Sequence, residues 1–176
     1  MKNSLKRTTA CLIVLAFFQF AEAQNLQTII KTQAMEMAKS LIKNDFVSFI
    51  KYLPPKIIEY AGGQQKLKST MDSTHQAMKQ FGVSFKKIMI GNPGAIISYK
   101  KQLQCVVPQS TDLQSLLGEM HIETSLVAIS ADNGRNWFFV DTNVYRADRL
   151  KSLLPDLSPR LVIPLQQEPK FTPNKE

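Results

Sequence analysis

The apolar residues of this chain change their period once, close to Gly82, and this change restricts the fold more than any other feature of the sequence. Before Gly82 the apolar positions recur at helical spacing, as on one face of an α-helix. After Gly82 they alternate, as on one face of a β-strand. Helices that precede a run of antiparallel strands favour an α+β domain. We expect N-terminal helices packed on a curved antiparallel sheet of about four strands.

Four helices are predicted before Gly82. Asp45 is suited to cap the second helix, because its carboxylate can accept hydrogen bonds from the first free backbone amides. Pro54 ends that helix, and Pro55 suits the first turn of a short third helix. Gly82 closes the fourth helix. The predicted helical segments are 26–42, 46–53, 55–60 and 67–81.

Four strands are predicted after Gly82, over residues 83–90, 95–107, 121–130 and 137–144. The apolar positions of the first strand change phase at Lys86–Lys87, which indicates a β-bulge. Pro108 is expected to end the second strand, because proline cannot donate to a sheet ladder. A loop is expected over 109–117. A helix over 146–154, ended by Pro155, is predicted after the last strand.

The two ends of the chain are predicted to lie outside the folded domain. Residues 1–23 combine a basic start, a short apolar run and Ala21-Glu22-Ala23, which is the pattern of a cleaved signal peptide. The apolar run is shorter than the ~20 residues that span a bilayer, and no later run approaches that length. We therefore expect an exported protein, periplasmic or extracellular, with no transmembrane segment in the mature chain. Residues 24–165 are expected to form one domain, and the polar residues 166–176 a disordered tail.

Charge and cysteine content argue against several function classes. The chain carries a formal net charge of +8, but its basic residues are scattered, and adjacent lysines on a strand point to opposite faces. A nucleic-acid partner is therefore not expected. Cys105, the single cysteine after residue 23, lies in an alternating strand pattern and is expected to be a core residue. No metal-ligand pair of histidines or cysteines and no glycine-rich phosphate loop occurs, so neither a metal nor a cofactor is expected.

Residues 130–137, SADNGRNW, match the Asp-box pattern S-x-D-x-G-x-x-W of sialidase-like propellers. The pattern occurs once, and a chain of this length cannot build a propeller of four-stranded blades. What the pattern predicts is a turn, in which Asp132 accepts backbone amides, Gly134 adopts a positive φ and Trp137 packs over the hairpin. We expect a structural hairpin here rather than a site of chemistry.

Asp141, in the last predicted strand, has three alternative environments. A hairpin loop with an even number of residues places it on the face of Leu126 and Phe139, whereas an odd number places it beside His121 and Glu123. In the first case the carboxylate lies among apolar groups, and its pKa is expected to rise unless it finds hydrogen bonds. In the second case the three polar side chains could do acid–base work or bind a cation. The third alternative is that Asp141 caps the sheet edge or pairs with a lysine.

The order of these elements resembles the cystatin-like α+β cone fold of the nuclear transport factor 2 superfamily. The resemblance covers residues 25–155 and rests on the helix layout, the long strands and the closing run Trp137-Phe138-Phe139-Val140-Asp141. The chain is also similar to small exported bacterial proteins of this superfamily with no assigned activity. The resemblance implies two further properties of relatives: some are isomerases or dehydratases that move a proton inside the cone, and some dimerise through the outer sheet face.

The leading hypothesis is a non-catalytic exported module that binds a small apolar ligand or an envelope protein partner. It rests on the excess of Met, Phe, Leu and Ile over convergent polar groups. The residues expected to line a ligand site are Met71, Met78, Phe85, Tyr99, Leu103, Trp137 and Phe139.

Two other hypotheses come from the cone resemblance. In an isomerase-like or dehydratase-like enzyme, Asp141 would be the base and Tyr99 would donate a hydrogen bond to the developing oxyanion. His121 or His75 would be an auxiliary acid, although His75 is also suited to the rim of the core beside the fourth helix. The last hypothesis is a homodimerisation module that uses the outer sheet face.

Overall fold

The computed structural model describes residues 25–145 and 147–174. The predicted signal peptide, residues 1–23, lies outside the described residues, as does Arg146 at the start of the last predicted helix. Helices come before Gly82 and the main sheet after it, as predicted. The elements are α1 (25–42), α2 (Phe46–Ile50), α3 (Pro55–Tyr60), α4 (Gln64–Gln80), β1 (Ser84–Ile90), β2 (Ile97–Tyr99), β3 (Gln102–Gln114), β4 (Gly118–Ser130), β5 (Phe138–Asp141), α5 (Ala147–Leu153) and β6 (Lys170–Pro173).

Two strands of 13 residues each, β3 and β4, form the centre of an antiparallel sheet. β1 and β2 both pair with β3, and β5 and β6 both pair with β4. The sheet therefore has six strands in four rows, instead of four strands. It curls into a half-barrel against which the helices pack. The predicted α+β class is confirmed.

The local signals at the helix ends act as predicted. The Asp45 carboxylate accepts a 3.1 Å hydrogen bond from the Ser48 amide and caps α2, although α2 ends at Ile50 and not at residue 53. Pro55 occupies the first turn of α3. The register of β1 against β3 shifts between Phe85 and Lys87, which confirms the predicted bulge.

The prediction of one continuous strand over 95–107 is wrong. The chain reverses at Lys100 and Lys101, whose φ angles of 45° and 62° are those of a two-residue hairpin turn. β2 therefore folds back on β3, with Tyr99 opposite Gln102. The sequence hides this turn, because lysines rarely adopt positive φ and the apolar alternation continues through them.

Pro108 does not end β3, and the predicted loop over 109–117 shrinks to residues 115–117. The Pro108 carbonyl accepts a 2.8 Å hydrogen bond from the Gly91 amide. In an antiparallel strand the nitrogen and carbonyl of one residue point toward the same neighbour. The proline ring therefore faces the gap between β1 and β2, and the pairing of Pro108 with Ser125 on β4 needs no amide from it.

The inner face of the sheet packs against α1. Ile30, Ala34 and Met37 of α1 are buried against alternate residues of the strands, and Trp137 closes this cluster. The strand residues are Cys105, Val107, Leu126, Ala128 and Phe139. Cys105 is fully buried, which confirms it as a core residue. This burial raises the pKa of its thiol to about 12.

The outer face of the sheet has a second core. Val127, Ile129 and Val140 pack against Leu150 of α5 and against the chain that follows it, with Leu154, Leu157 and Leu161. Gln104, which is fully buried, donates to the Asp156 carbonyl at 2.7 Å and accepts from the Ser158 amide at 2.8 Å. The segment after α5 is thus fixed to β3 by hydrogen bonds as well as by apolar contacts.

The turn over 130–137 is held by a network centred on Asp132. Its carboxylate accepts hydrogen bonds from the Ser130 hydroxyl at 2.8 Å and from the Asn136 amide at 3.0 Å. These donors, the Asn136 contacts first, hold the pKa of Asp132 down at about 2. Gly134 has a φ of 86°, and the Trp137 indole donates to its carbonyl at 2.9 Å. The predicted structural hairpin is confirmed.

The segment predicted to be a disordered tail contains a strand. β6 pairs with Gly118–His121 of β4, although all four of its residues are exposed. A Cβ at Gly118 would lie against the Thr172 carbonyl oxygen and 2.8 Å from the Pro173 Cα. The close approach of β6 therefore depends on a glycine, and composition alone could not indicate that an exposed, polar segment pairs there.

We expect Asp132→Ala to lower the free energy of unfolding by about 1–2 kcal/mol at neutral pH, since the hairpin loses charge-assisted hydrogen bonds. A depressed pKa contributes stability above the unfolded pKa, which is lost as pH falls through the folded value. The difference from wild type should therefore shrink between about pH 4 and pH 2. Urea unfolding followed by the fluorescence of Trp137 measures it. Glu59→Ala, an exposed carboxylate on α3, is the control, and a pH-independent difference would contradict the interpretation.

We expect Gly118→Ala to detach β6 without unfolding the sheet. Amide hydrogen exchange measured by NMR should become faster by about tenfold or more in residues 118–121 and 170–172, because local opening exposes their amides. Residues 124–130 should keep their protection. Thr172→Ala, an exposed position on β6, is the matched control. Unchanged exchange in Gly118→Ala would show that β6 tolerates a Cβ at this position.

Candidate functional site

A cavity of about 380 Å³ lies between the inner face of the sheet and the helices α1, α2 and α4. Its walls are mostly apolar. The side chains that contribute apolar surface include Met37, Leu41, Phe46, Phe49, Leu53, Leu67, Met71, Met78, Phe85, Ile88, Leu126 and Phe139. The cavity is large enough for a small organic molecule, since ligand pockets begin at roughly 300 Å³.

Helix α4 forms one wall of this cavity. It has 17 residues, and none of them is buried. Leu67, Met71, His75 and Met78 recur at helical spacing, are half-buried and border the cavity. The apolar stripe of α4 therefore faces the cavity, whereas the stripe of α1 packs directly on the sheet.

Asp141 supplies a carboxylate to the cavity wall. It lies opposite Leu126 on β4, and Phe139 lies opposite Ala128. Residues opposite one another share a face of the sheet. The even-loop alternative is therefore correct, and Asp141 lies on the apolar inner face.

The Asp141 carboxylate is held by three neighbours. Gln109 Nε2 donates to Oδ2 at 2.9 Å, and the Asn143 amide donates to Oδ1 at 2.7 Å. Gln109 Nε2 also donates to the Thr124 hydroxyl at 3.3 Å. Burial raises the pKa of Asp141 above its ordinary value, and the hydrogen bonds from Asn143, Gln109 and Thr124 oppose part of this rise.

Six residues singled out in the sequence border the cavity. They are Met71, His75, Met78, Phe85, Phe139 and Asp141. His75 also packs edge-on against Phe46, with ring centroids 6.2 Å apart, which fits the core-rim role. No contact between His75 and Asp141 is recorded among the described residues.

Tyr99, Leu103 and Trp137 do not border the cavity. Tyr99 lies at the end of β2, beside the Lys100 turn that the sequence did not reveal. Leu103 packs against the inner core, and Trp137 is fully buried in it. α1 fills the space around Leu103 and Trp137, so these two side chains serve packing. Tyr99 lies opposite Gln102 and therefore on the outer face of the sheet, with Gln104. The predicted oxyanion donor, Tyr99, is therefore not near Asp141.

His121 lies on the outer face of the sheet, away from Asp141. Its Nδ1 is 2.6 Å from Asp112 and its Nε2 is 3.5 Å from Glu123. The Asp112 contact is the main reason that the pKa of His121 is raised. The polar cluster of His121, Glu123 and Asp141 that an odd loop predicted does not form. Among the described residues, no group of three or more His, Cys, Asp or Glu side chains is placed to hold a metal ion.

The sequence did not indicate Gln109, Thr124 or Asn143 as site residues. Gln109 fell in a segment predicted to be a loop, and only the extension of β3 past Pro108 places it opposite Thr124. Asn143 contributes a backbone amide, which any residue except proline could supply. A polar residue that alternates in phase with the core positions of β3 is the one signal that could have identified Gln109.

A second cavity, of about 580 Å³, lies on the outer face. Its floor is formed by residues of β3 and β4, among them Ser110, Glu123 and Ser125, and its rim by residues 164–167. Leu165 on this rim is 93% exposed, so the rim covers the floor loosely. Its lining mixes apolar side chains, among them Met89, Ile90 and Leu165, with polar ones.

Comparisons with protein-family models, curated proteins and solved structures find no significant match to this chain. Within residues 25–145 and 147–174, no helix is both long enough and apolar enough to cross a membrane.

We expect carboxyl NMR to find Asp141 titrating above 3.8 and Asp132 at about 2 in the same spectra. A raised folded pKa contributes stability that is present below the unfolded pKa and lost as pH rises through the folded value. Asp141→Asn should therefore gain stability relative to wild type as the pH rises from about 4 through the folded pKa of Asp141, measured by urea unfolding. An Asp141 that titrates below 3.8 would mean that hydrogen bonding outweighs its burial.

Proposed function

We propose that this protein is an exported, non-catalytic module that holds a small, mainly apolar ligand in the inner cavity. One observation carries the proposal: the apolar stripe of α4 borders a cavity of about 380 Å³, and none of the residues of this helix is buried. A ligand in this cavity would contact the stripe on one side and the sheet on the other.

The energetics favour such a ligand. Complete burial of a Leu, Met or Phe side chain is worth about 1.5–3 kcal/mol relative to full exposure. Leu67, Met71 and Met78 of α4 are only half-buried, so each has part of this free energy left to gain. An apolar molecule would realise that gain for the protein side chains and for itself, as methionine-rich surfaces do for varied partners.

The position of α4 is compatible with ligand access. Gly62–Gly63 precede the helix and Gly82 follows it, so both of its ends are turns in which the backbone can adjust. Movements of this kind admit ligands in many binding proteins.

The α+β cone architecture supports the same proposal by analogy. Folds in which helices cover a curled sheet offer an interior cavity, although a fold alone does not fix a function. We therefore also propose that the chain belongs to the cystatin-like, nuclear transport factor 2-like superfamily, and that it acts in the periplasm or outside the cell.

The enzyme hypothesis has one observation in its favour. Asp141 borders the cavity, has a raised pKa and lies within hydrogen-bond reach of Gln109. With Tyr99 elsewhere, the donor to an oxyanion would have to be another lining residue, such as Tyr145. Deuterium exchange beside the carbonyl of cyclohexanone, followed by NMR, tests this function. Exchange that wild type accelerates and Asp141→Asn does not would favour the enzyme.

An envelope protein partner and a homodimer remain predictions. The part of the outer face around Val127, Ile129 and Val140 is covered by α5 and the residues after it. A dimer through the outer face would therefore use the part of this face that they leave uncovered. Sedimentation velocity of the mature chain tests the dimer.

We expect the mature protein to bind the uncharged probe N-phenyl-1-naphthylamine with a rise in its fluorescence. Met71→Trp and Met78→Trp should weaken binding by about tenfold or more, because an indole fills cavity volume. They should keep or raise the melting temperature, since the added side chain gains contacts. Gln76→Trp, on the exposed side of α4, is the matched control and should bind like wild type. Equal binding by all four proteins would place the probe outside the inner cavity.

A further inference from the structure

The polar end of the inner cavity restricts the chemistry of the ligand. We infer that the ligand has an apolar body and a head group that donates hydrogen bonds, an amine or a hydroxyl, and that the cavity rejects carboxylates. This inference rests on the proposed function.

The first observation is that the donors around Asp141 are already used. Gln109 Nε2 donates both to Asp141 and to the Thr124 hydroxyl oxygen, which accounts for both of its hydrogens. The Thr124 hydroxyl in turn hydrogen-bonds to Asp141. The Asn143 amide donates to the other carboxylate oxygen. This group of residues therefore offers the cavity no spare donor.

Hydrogen-bond acceptors, in contrast, remain available to a ligand. A carboxylate has about four lone-pair sites, and the three donors named above leave capacity on Asp141. Gln109 also keeps its amide oxygen as an acceptor, since both recorded bonds of its side chain use the nitrogen. A ligand head group that donates hydrogen bonds matches this surface, and one that only accepts them does not.

The second observation is the absence of lysine and arginine side chains from the described part of the cavity wall. The chain has 22 lysines and arginines, yet none occurs among the described residues that line this cavity. A ligand carboxylate at this end would be desolvated beside the Asp141 carboxylate with no lysine or arginine partner, which is strongly unfavourable. His75, the basic side chain in the lining, packs against Phe46 rather than beside Asp141. An ammonium group would instead pair with Asp141.

Among the polar lining residues of α4, His75 packs edge-on against Phe46, and the two threonines have no spare donor. The hydroxyls of Thr70 and Thr74 donate to carbonyls of their own helix, Lys66 and Thr70, at 3.0 and 2.9 Å. Tyr145, next to the Asp141 turn, is the lining hydroxyl whose removal tests whether a donor outside the Asp141 network serves the ligand.

The test is the binding of three ligands with one ten-carbon chain and different head groups: decylamine, 1-decanol and decanoate. Displacement of N-phenyl-1-naphthylamine at pH 7 measures each of them on the mature wild-type protein. We expect decylamine and decanol to bind at least about tenfold more tightly than decanoate, because only decanoate brings a second carboxylate to the site. This comparison needs no variant and stands even if a substitution impairs folding.

Variants then assign the selectivity to Asp141. Asp141→Asn should weaken decylamine by about tenfold or more and strengthen decanoate, with decanol changed least. Asp112→Asn removes one carboxylate on the outer face and is the charge-matched control, and it should preserve the wild-type order. A changed order in Tyr145→Phe would assign the selectivity to the Tyr145 hydroxyl and overturn its assignment to Asp141.

The outcomes separate the two proposals. Decanoate binding to wild type as tightly as decylamine and decanol would overturn the head-group inference while leaving a ligand module in place. If the probe does not bind, and calorimetry detects no binding of the three alkyl ligands either, the proposed function fails.

Discussion

The ladder between β3 and β4 is the interaction on which the rest of the domain depends. It pairs Leu103 with Ser130 at one end and Gln114 with Glu119 at the other. Residues 125–130 are buried on both faces, because α1 covers one face and the segment around α5 covers the other. A register slip of one residue would exchange the two cores. The ladder therefore fixes which side chains meet the helices, and Asp141 takes its place on the inner face through β4.

Buried or half-buried amide side chains join the layers to this ladder. Gln33 of α1 accepts from the Trp137 amide at 2.8 Å and donates to the Arg135 carbonyl at 2.8 Å, which fixes α1 to the hairpin. Gln104 fixes the chain after α5, and Gln109 fixes Asp141. Glutamine can donate and accept at once, so one side chain satisfies two partners on another element. Because unpaired buried polar groups are costly, these contacts also specify how the layers sit on one another.

The two long helices use the inner face differently, and the cavity follows from that difference. α1 places Ile30, Ala34 and Met37 directly on the strands, as a close-packed core requires. No residue of α4 is buried, and a cavity separates the apolar stripe of this helix from the sheet. The Asp141 carboxylate borders the cavity because Asp141 is the last residue of β5, and this end of β5 lies between the inner core and the cavity.

The sequence by itself determined the α+β class, the caps at Asp45 and Pro55, the β1 bulge, the hairpin around Asp132 and the burial of Cys105, because each depends on local spacing or on a residue's own conformational preference. It also indicated five candidate site residues that border the cavity, Met71, Met78, Phe85, Phe139 and Asp141. It did not determine on which face of the sheet Asp141 lies. Only the tertiary structure decided that face, the turn at Lys100–Lys101, the passage of β3 through Pro108, the second core and the place of β6. These features depend on which strands become neighbours, and pairing between distant segments is not encoded in the local period of the chain.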